Sequence, residues 1–178
     1  MNQFNPFYRL IDENDSFINQ VIGYVFGVGI FEELIKLIPV FFFIKHSKEP
    51  LLPQTVVFYG LISGIGFGVF EGVIYQISVN SKLDYNSSFF MNIARLTSLP
   101  FLHAVWSGIS SYFIAFYFLY PTKRYAMFLL AIVIPAILHG LYDVFTWSLI
   151  GLFIAYFGVA LLIIYLKKAK EFQSKITF

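Results

Sequence analysis

The sequence predicts an all-α, polytopic membrane protein with about five transmembrane helices. Of its 178 residues, 58% are hydrophobic and only 12% are charged, whereas a soluble domain carries roughly 25% charged residues. Aromatic residues reach 21% and the mean hydropathy is +0.75, so a soluble chain of this length could not bury its apolar surface. The apolar residues also form long stretches of at least the ~20 residues that a membrane-spanning helix requires.

Four apolar stretches, separated by polar loops, divide the chain. They occupy residues 17–44, 54–79, 92–120 and 125–166. The last stretch is about twice the length that one span needs, so we expect two helices there, joined by a tight turn near residues 146–148. The chain is therefore predicted to be one integral membrane domain, residues 1–178.

The Lys and Arg residues of the loops predict the orientation. With five spans, eight of them fall on one side of the membrane: Lys45, Lys48, Lys123, Arg124, Lys167, Lys168, Lys170 and Lys175. Only Arg9 and Lys82 fall on the other side. Because short cytoplasmic loops carry the excess of positive charge, the C-terminus is predicted to be cytoplasmic and the N-terminus to lie outside.

Composition excludes several classes of function. The chain contains no cysteine, which rules out disulfides, thiolate metal sites and a cysteine nucleophile. Its formal net charge of +2 and the lack of interleaved basic and aromatic residues give no indication of nucleic-acid binding. The expected surroundings are instead the lipid bilayer.

Several ionisable residues lie within or beside the predicted spans. They are Glu32, Glu33, Lys36, Glu71, Arg95, His103, His139 and Asp143. A charge at the bilayer centre costs about 2.5–3.5 kcal/mol even on the most lenient scale, so these groups must face one another. At ~1.5 Å per residue, the acidic and His residues lie about 20–28 Å from the cytoplasmic ends of their helices. Four helices are thus predicted to bring them to one layer in the outer half of the membrane.

The spacing of these residues is typical of shared helix faces. Lys36 follows Glu32 by four residues and Glu33 by three, so it can pair with either carboxylate. His139 and Asp143 are four residues apart, as are His103 and Ser107. A stripe of small residues repeats every four positions at Gly60, Gly64, Gly68 and Gly72. Such a stripe lets a neighbouring helix approach closely.

Four short motifs carry a resemblance to the PrsW family of intramembrane proteases, which is grouped with the CAAX-protease and bacteriocin-processing membrane proteins. The first, E-E-x-x-K, reads Glu32-Glu33-Leu34-Ile35-Lys36, and the second, F-x-x-x-E, begins at Phe67 and ends at Glu71. The third motif, an Arg followed about eight residues later by a His, resembles Arg95 and His103. The fourth, H-x-x-x-D, matches His139 to Asp143. The resemblance covers residues 17–149, the predicted catalytic core.

The resemblance implies hydrolysis of a peptide bond in a membrane-anchored protein. In PrsW-like proteins the substrate is typically an anti-sigma factor, cut on the outer side of the plasma membrane of a prokaryote. The predicted catalytic residues are Glu32, Glu33, Glu71, His103 and His139, with Lys36, Arg95 and Asp143 in supporting roles. The sequence indicates nothing about the oligomeric state.

Two mechanisms use these residues differently. In one, Glu32 or Glu33 is the general base that activates water, His103 and His139 donate to the oxyanion, and Asp143 fixes a His tautomer. In the other, His103, His139 and Glu71 hold a divalent metal such as zinc, because two His and a Glu form a common catalytic zinc set. Glu33 would then be the base. The H-E-x-x-H signature is absent.

Two further classes of function remain open. Intact motifs do not exclude a membrane scaffold without catalytic activity. Intramembrane Glu, His and Asp are also natural in a proton- or ion-coupled transporter, although the five predicted spans form no inverted repeat.

Overall fold

The computed structural model describes residues 5–11, 16–48 and 51–176 of the chain. Every regular element in these residues is helical and no strand occurs among them, which confirms the all-α prediction. The single-domain prediction also covers residues 1–4, 12–15, 49–50 and 177–178, which lie outside the described residues.

The first predicted span is a helix in three sections. Helix α1, Phe17–Ile22, begins after Ser16, whose Oγ accepts a hydrogen bond from the Asn19 amide at 3.3 Å. The chain continues through a π-helical section, Gly23–Gly29, into α2, Ile30–His46. The side-chain amide of Asn5, at the start of the 3₁₀ turn Pro6–Leu10, donates to the Gly27 carbonyl at 2.6 Å. This contact holds the N-terminal segment against the π-helical section.

Four longer helices follow. Helix α3, Pro53–Ser78, begins with a proline at its first position, where no helical amide donor is needed. Helix α4, Tyr85–Leu119, is capped by Asp84, which accepts from the amides of Asn86 and Ser87. Helices α5, Arg124–Val144, and α6, Leu149–Ile176, are joined by a turn in which Trp147 adopts φ 67°. The turn predicted near residues 146–148 is therefore confirmed.

Among the described residues, four helices are long and apolar enough to cross a membrane. They correspond to α3, α4, α5 and α6, with mean hydropathies between 1.3 and 2.6. The segment from α1 to α2 differs because it is divided by the π-helical section and carries Glu32, Glu33 and Lys36. Its crossing, and hence the count of five spans, stays a prediction, as does the orientation of the termini.

Helix α4 lies at the centre of the fold. Every one of its residues from Leu102 to Ser111 is buried. The glycine stripe of α3 packs directly on it: a Cβ at Gly68 would lie 2.6 Å from Cα of Pro100, and one at Gly64 would overlap the backbone of His103. This packing confirms the predicted close approach and fixes the position of α4 relative to α3.

Candidate active site

Seven ionisable side chains from α2, α3, α4 and α5 meet in one cluster. They are Glu32, Glu33, Lys36, Glu71, His103, His139 and Asp143, with contacts between 2.6 and 4.0 Å. The predicted convergence of these side chains is therefore observed, and their depth in the membrane stays a prediction. One ammonium group faces four carboxylates, so the cluster has an excess of negative charge that protons or a metal cation must balance.

A buried ion pair between Glu33 and Lys36 forms the base of the cluster. Lys36 Nζ lies 2.6 Å from Glu33 Oε1, and neither side chain has any exposed surface. Glu32 Oε2 is 4.0 Å from the same ammonium, and the Glu32 side chain is 19% exposed. The two adjacent glutamates diverge as expected for a helix: Glu33 pairs with Lys36, and Glu32 reaches the more open side.

His139 links both glutamates of α2 to α5. Its Nδ1 lies 3.2 Å from Glu33 Oε1. Glu33 is ionised in its pair with Lys36, and an ionised carboxylate oxygen can only accept a hydrogen bond, so Nδ1 carries a proton. Its Nε2 faces two other carboxylates, Glu32 Oε2 at 3.5 Å and Asp143 Oδ2 at 3.4 Å. A proton, either on Nε2 or on one of the two carboxylates, or a metal cation is required to bring these three groups together.

His103 connects Lys36 to α3. Its Nδ1 accepts from Lys36 Nζ at 2.8 Å, and its Nε2 lies 2.6 Å from Glu71 Oε2. Glu71 is 21% exposed and Asp143 is 24% exposed, so both, like Glu32, border the open side of the cluster. The cluster thus has a sealed side formed by Glu33 and Lys36, and an accessible side formed by three carboxylates.

Two α4 side chains that the sequence did not single out for function also contact the cluster. The Trp106 ring stacks on His139 with centroids 4.5 Å apart and meets His103 edge-on at 5.6 Å. Ser110 Oγ donates to Glu33 Oε2 at 3.4 Å. Positions three and seven residues after His103 share its helix face, and this spacing could have identified both. Ser107, expected on that face, has a buried Oγ without a hydrogen-bond partner in the described structure.

Arg95 lies outside this cluster. Its guanidinium stacks over the Tyr75 ring, with Cζ 3.7 Å from the ring centroid. Within the described residues no ion pair joins Arg95 to the cluster carboxylates. Its supporting role therefore stays a prediction.

Three of these residues lie close enough together that they could hold a metal ion. Glu32, His103 and His139 each offer a ligand atom, and these atoms lie within 4.8 Å of one another. Glu33 supports His139 from behind through Nδ1, the arrangement usual for a metal-binding histidine. The set predicted from sequence contained Glu71 in place of Glu32, and in the structure Glu71 contacts His103 instead. The donor set and the excess negative charge fit a divalent metal.

Fold and site together define a multi-pass membrane protein with a cluster of His and acidic residues enclosed by its helices. The model of the PrsW family of intramembrane metalloproteases matches residues 3–167, and the chain belongs to this family. Its general activity is therefore intramembrane proteolysis. No curated protein and no solved structure matches the chain significantly.

Proposed function

We propose that this protein cuts a membrane-anchored protein by adding water to a peptide bond at the cluster described above. The observation that carries the proposal is the convergence of Glu32, Glu71, His103, His139 and Asp143 on one partly accessible side, against a sealed ion pair. Peptide hydrolysis needs an activated water, a group that stabilises the oxyanion and a proton donor for the leaving amine. The cluster offers residues for each task.

Glu32, His103 and His139 are the residues proposed to hold a divalent metal, for which zinc is the leading candidate because two His and a carboxylate form a common catalytic zinc set. When bound, the metal would polarise the substrate carbonyl and acidify a water molecule. His139 is prepared for this role because Glu33 keeps the proton on Nδ1. His103 can ligate through a ring nitrogen only after that nitrogen releases its present partner, Lys36 or Glu71.

Glu71 is the proposed general base. Its carboxylate is partly exposed and lies against the ring of His103, so it borders the site where water would react. Glu33 is fully engaged by Lys36, His139 and Ser110, and acts as a positioning residue. This assignment replaces Glu33 as the base. Glu32 is the alternative base if no metal is held, since it is the more exposed of the two adjacent glutamates.

The proposed substrate is a single-span membrane protein, such as an anti-sigma factor, cut on the outer side of a prokaryotic plasma membrane. The distribution of loop charges supports this side, because it directs the C-terminus to the cytoplasm and the acidic layer to the outer half of the bilayer. Kinship with the CAAX-protease and bacteriocin-processing proteins rests on the motifs alone and is part of the proposal.

Cleavage assays with matched variants test this function. The wild type and the Glu71→Gln, Glu32→Gln and His139→Ala variants are expressed with tagged single-span proteins, and the fragments are followed on immunoblots. Each active-site substitution is expected to reduce cleavage at least 100-fold at unchanged membrane levels. General acid–base catalysis by Glu71 contributes about 10²–10⁴-fold, and loss of the ligand Glu32 or His139 would remove the metal that polarises the carbonyl. Two exposed controls, Glu171→Gln and His46→Ala, should cleave like the wild type. Cleavage that survives all three active-site substitutions would refute the proposed site.

A further inference from the structure

A groove opens between α2 and α3 directly beside the cluster. It encloses about 320 Å³. It is lined by Ile35, Ser63, Gly66, Phe67 and Phe70, together with Lys36, whose side chain is fully buried. The rim residues Ile35 and Phe70 are 50% and 65% exposed, so the groove opens sideways, toward the surface that lipid would cover.

Phe67 connects the groove to the active site. The Phe67 ring lies 4.9 Å from Lys36 Nζ and meets the His103 ring edge-on, with centroids 5.2 Å apart. Lys36 in turn contacts Glu33 and His103. A group bound in the groove is therefore separated from His103 only by the Phe67 side chain.

Gly66 lacks a side chain for a reason different from that of the glycine stripe. At Gly64 and Gly68 a Cβ would overlap the backbone of α4, so helix packing requires glycine there. A Cβ at Gly66 would meet nothing within 4 Å. Glycine in a helix interior costs roughly 1 kcal/mol relative to alanine, and no contact of α3 with a neighbouring helix requires it at this position. What the glycine does provide is the depth of the groove.

We propose that this groove is a specificity pocket that receives one large apolar side chain of the substrate's membrane segment, next to the bond that is cut. This inference rests on the proposed function. The Gly66 position sets the size of the side chain that fits. The mainly apolar walls exclude a charged side chain, and the lateral opening lets a membrane segment approach from the bilayer.

Pro39, which also lines the groove, leaves the Ile35 carbonyl free to accept a hydrogen bond from the substrate backbone. A proline has no amide hydrogen, so the Ile35 carbonyl four residues earlier lacks its usual helical donor. A substrate helix must unwind to be cut, and its freed amides need acceptors inside the membrane. The Ile35 carbonyl offers one at the edge of the pocket.

The first test measures substrate preference. Single-span reporters carry Leu, Phe, Ala or Asp at successive positions of the membrane segment, and kcat/KM is measured with the purified, full-length protein in vesicles. At one position the wild type should prefer Leu or Phe over Ala by about tenfold, a gain that comes from packing contacts. Gly66→Leu should abolish that preference by slowing the Leu and Phe reporters only. Val69→Phe adds similar bulk to an exposed α3 position outside the groove and should keep the preference.

The second test detects occupancy without requiring cleavage. The chain has no cysteine, so Gly66→Cys and the control Val69→Cys each provide one thiol for disulfide trapping with single-cysteine reporters. Trapping by Gly66→Cys but not by Val69→Cys supports the pocket. If this trapping occurs while the wild type cuts no reporter, the pocket stands and only the proposed proteolytic function is refuted. The pocket proposal is refuted if Gly66→Cys shows no selective trapping, or if a Gly66→Leu protein that still cleaves keeps the same preference. The groove would then be filled by lipid.

Discussion

Removing the charge of Glu33 should destabilise the protein, because the fully buried ammonium of Lys36 would lose its nearest counter-ion, the carboxylate 2.6 Å away. Breaking a buried ion pair by neutralising one partner costs about 3–5 kcal/mol. For Glu33→Gln we expect about 3 kcal/mol, the lower end of that range. The introduced amide oxygen can still accept from Lys36, and Glu32 Oε2 lies 4.0 Å from the ammonium as an alternative partner.

The assay is equilibrium unfolding of the purified protein in mixed micelles with increasing SDS. A second substitution distinguishes loss of the pair from general damage: Lys36→Met in the Glu33→Gln protein removes the orphaned charge and should recover most of the lost free energy of unfolding. Glu171→Gln, on the exposed end of α6, is the control and should unfold like the wild type. If Glu33→Gln matches the wild type within about 0.5 kcal/mol, or if the double variant is less stable than Glu33→Gln, the buried-pair reasoning fails.

Three further outcomes are expected. Gly68→Val should lower the free energy of unfolding by about 1–3 kcal/mol through overpacking against Pro100. Gly66→Ala should not lower it, and equal losses in the two variants would contradict the packing described for α3. Ser110→Ala should cost less than about 1 kcal/mol, because Glu33 keeps Lys36 and His139, and a larger loss in the same SDS titration would mean that Ser110 is essential to the pair. A chelator should abolish cleavage and zinc should restore it, with Glu32→Gln lowering the metal content measured by elemental analysis; metal content unchanged in this variant would exclude Glu32 as a ligand.

Much of the fold could be predicted from the sequence. In a bilayer only helices satisfy every backbone group within one segment, so long apolar stretches indicate α3 to α6 directly. The turn between α5 and α6 followed from length alone. The division of the first span did not, because a π-helical section such as Gly23–Gly29 has no distinctive hydrophobic pattern. Its position depends on tertiary contacts, such as the Asn5 hydrogen bond to Gly27.

The sequence predicted which side chains meet in the cluster better than it predicted which of them contact each other. Intramembrane charges must converge, which identified Glu33, Lys36, Glu71, His103 and His139. Whether Lys36 pairs with Glu32 or Glu33 depends on helix rotation, which the spacing leaves open because both pairs are favourable. The spacing from His103 places Trp106 on the same face of α4, but its stacking on His139 of α5 joins distant segments and leaves no local signal in one sequence.

The most direct test of the central claim is cleavage by purified protein in water enriched in ¹⁸O. The wild type is reconstituted in lipid vesicles with a single-span reporter, and the products are identified by mass spectrometry. Intramembrane hydrolysis at this site predicts a cut within or beside the membrane segment, ¹⁸O in the new carboxyl terminus, and loss of both products with Glu71→Gln but not with Glu171→Gln. Folded wild-type protein that yields no fragment from any reporter in the set, or Glu71→Gln protein that yields the same labelled fragments, would contradict the account.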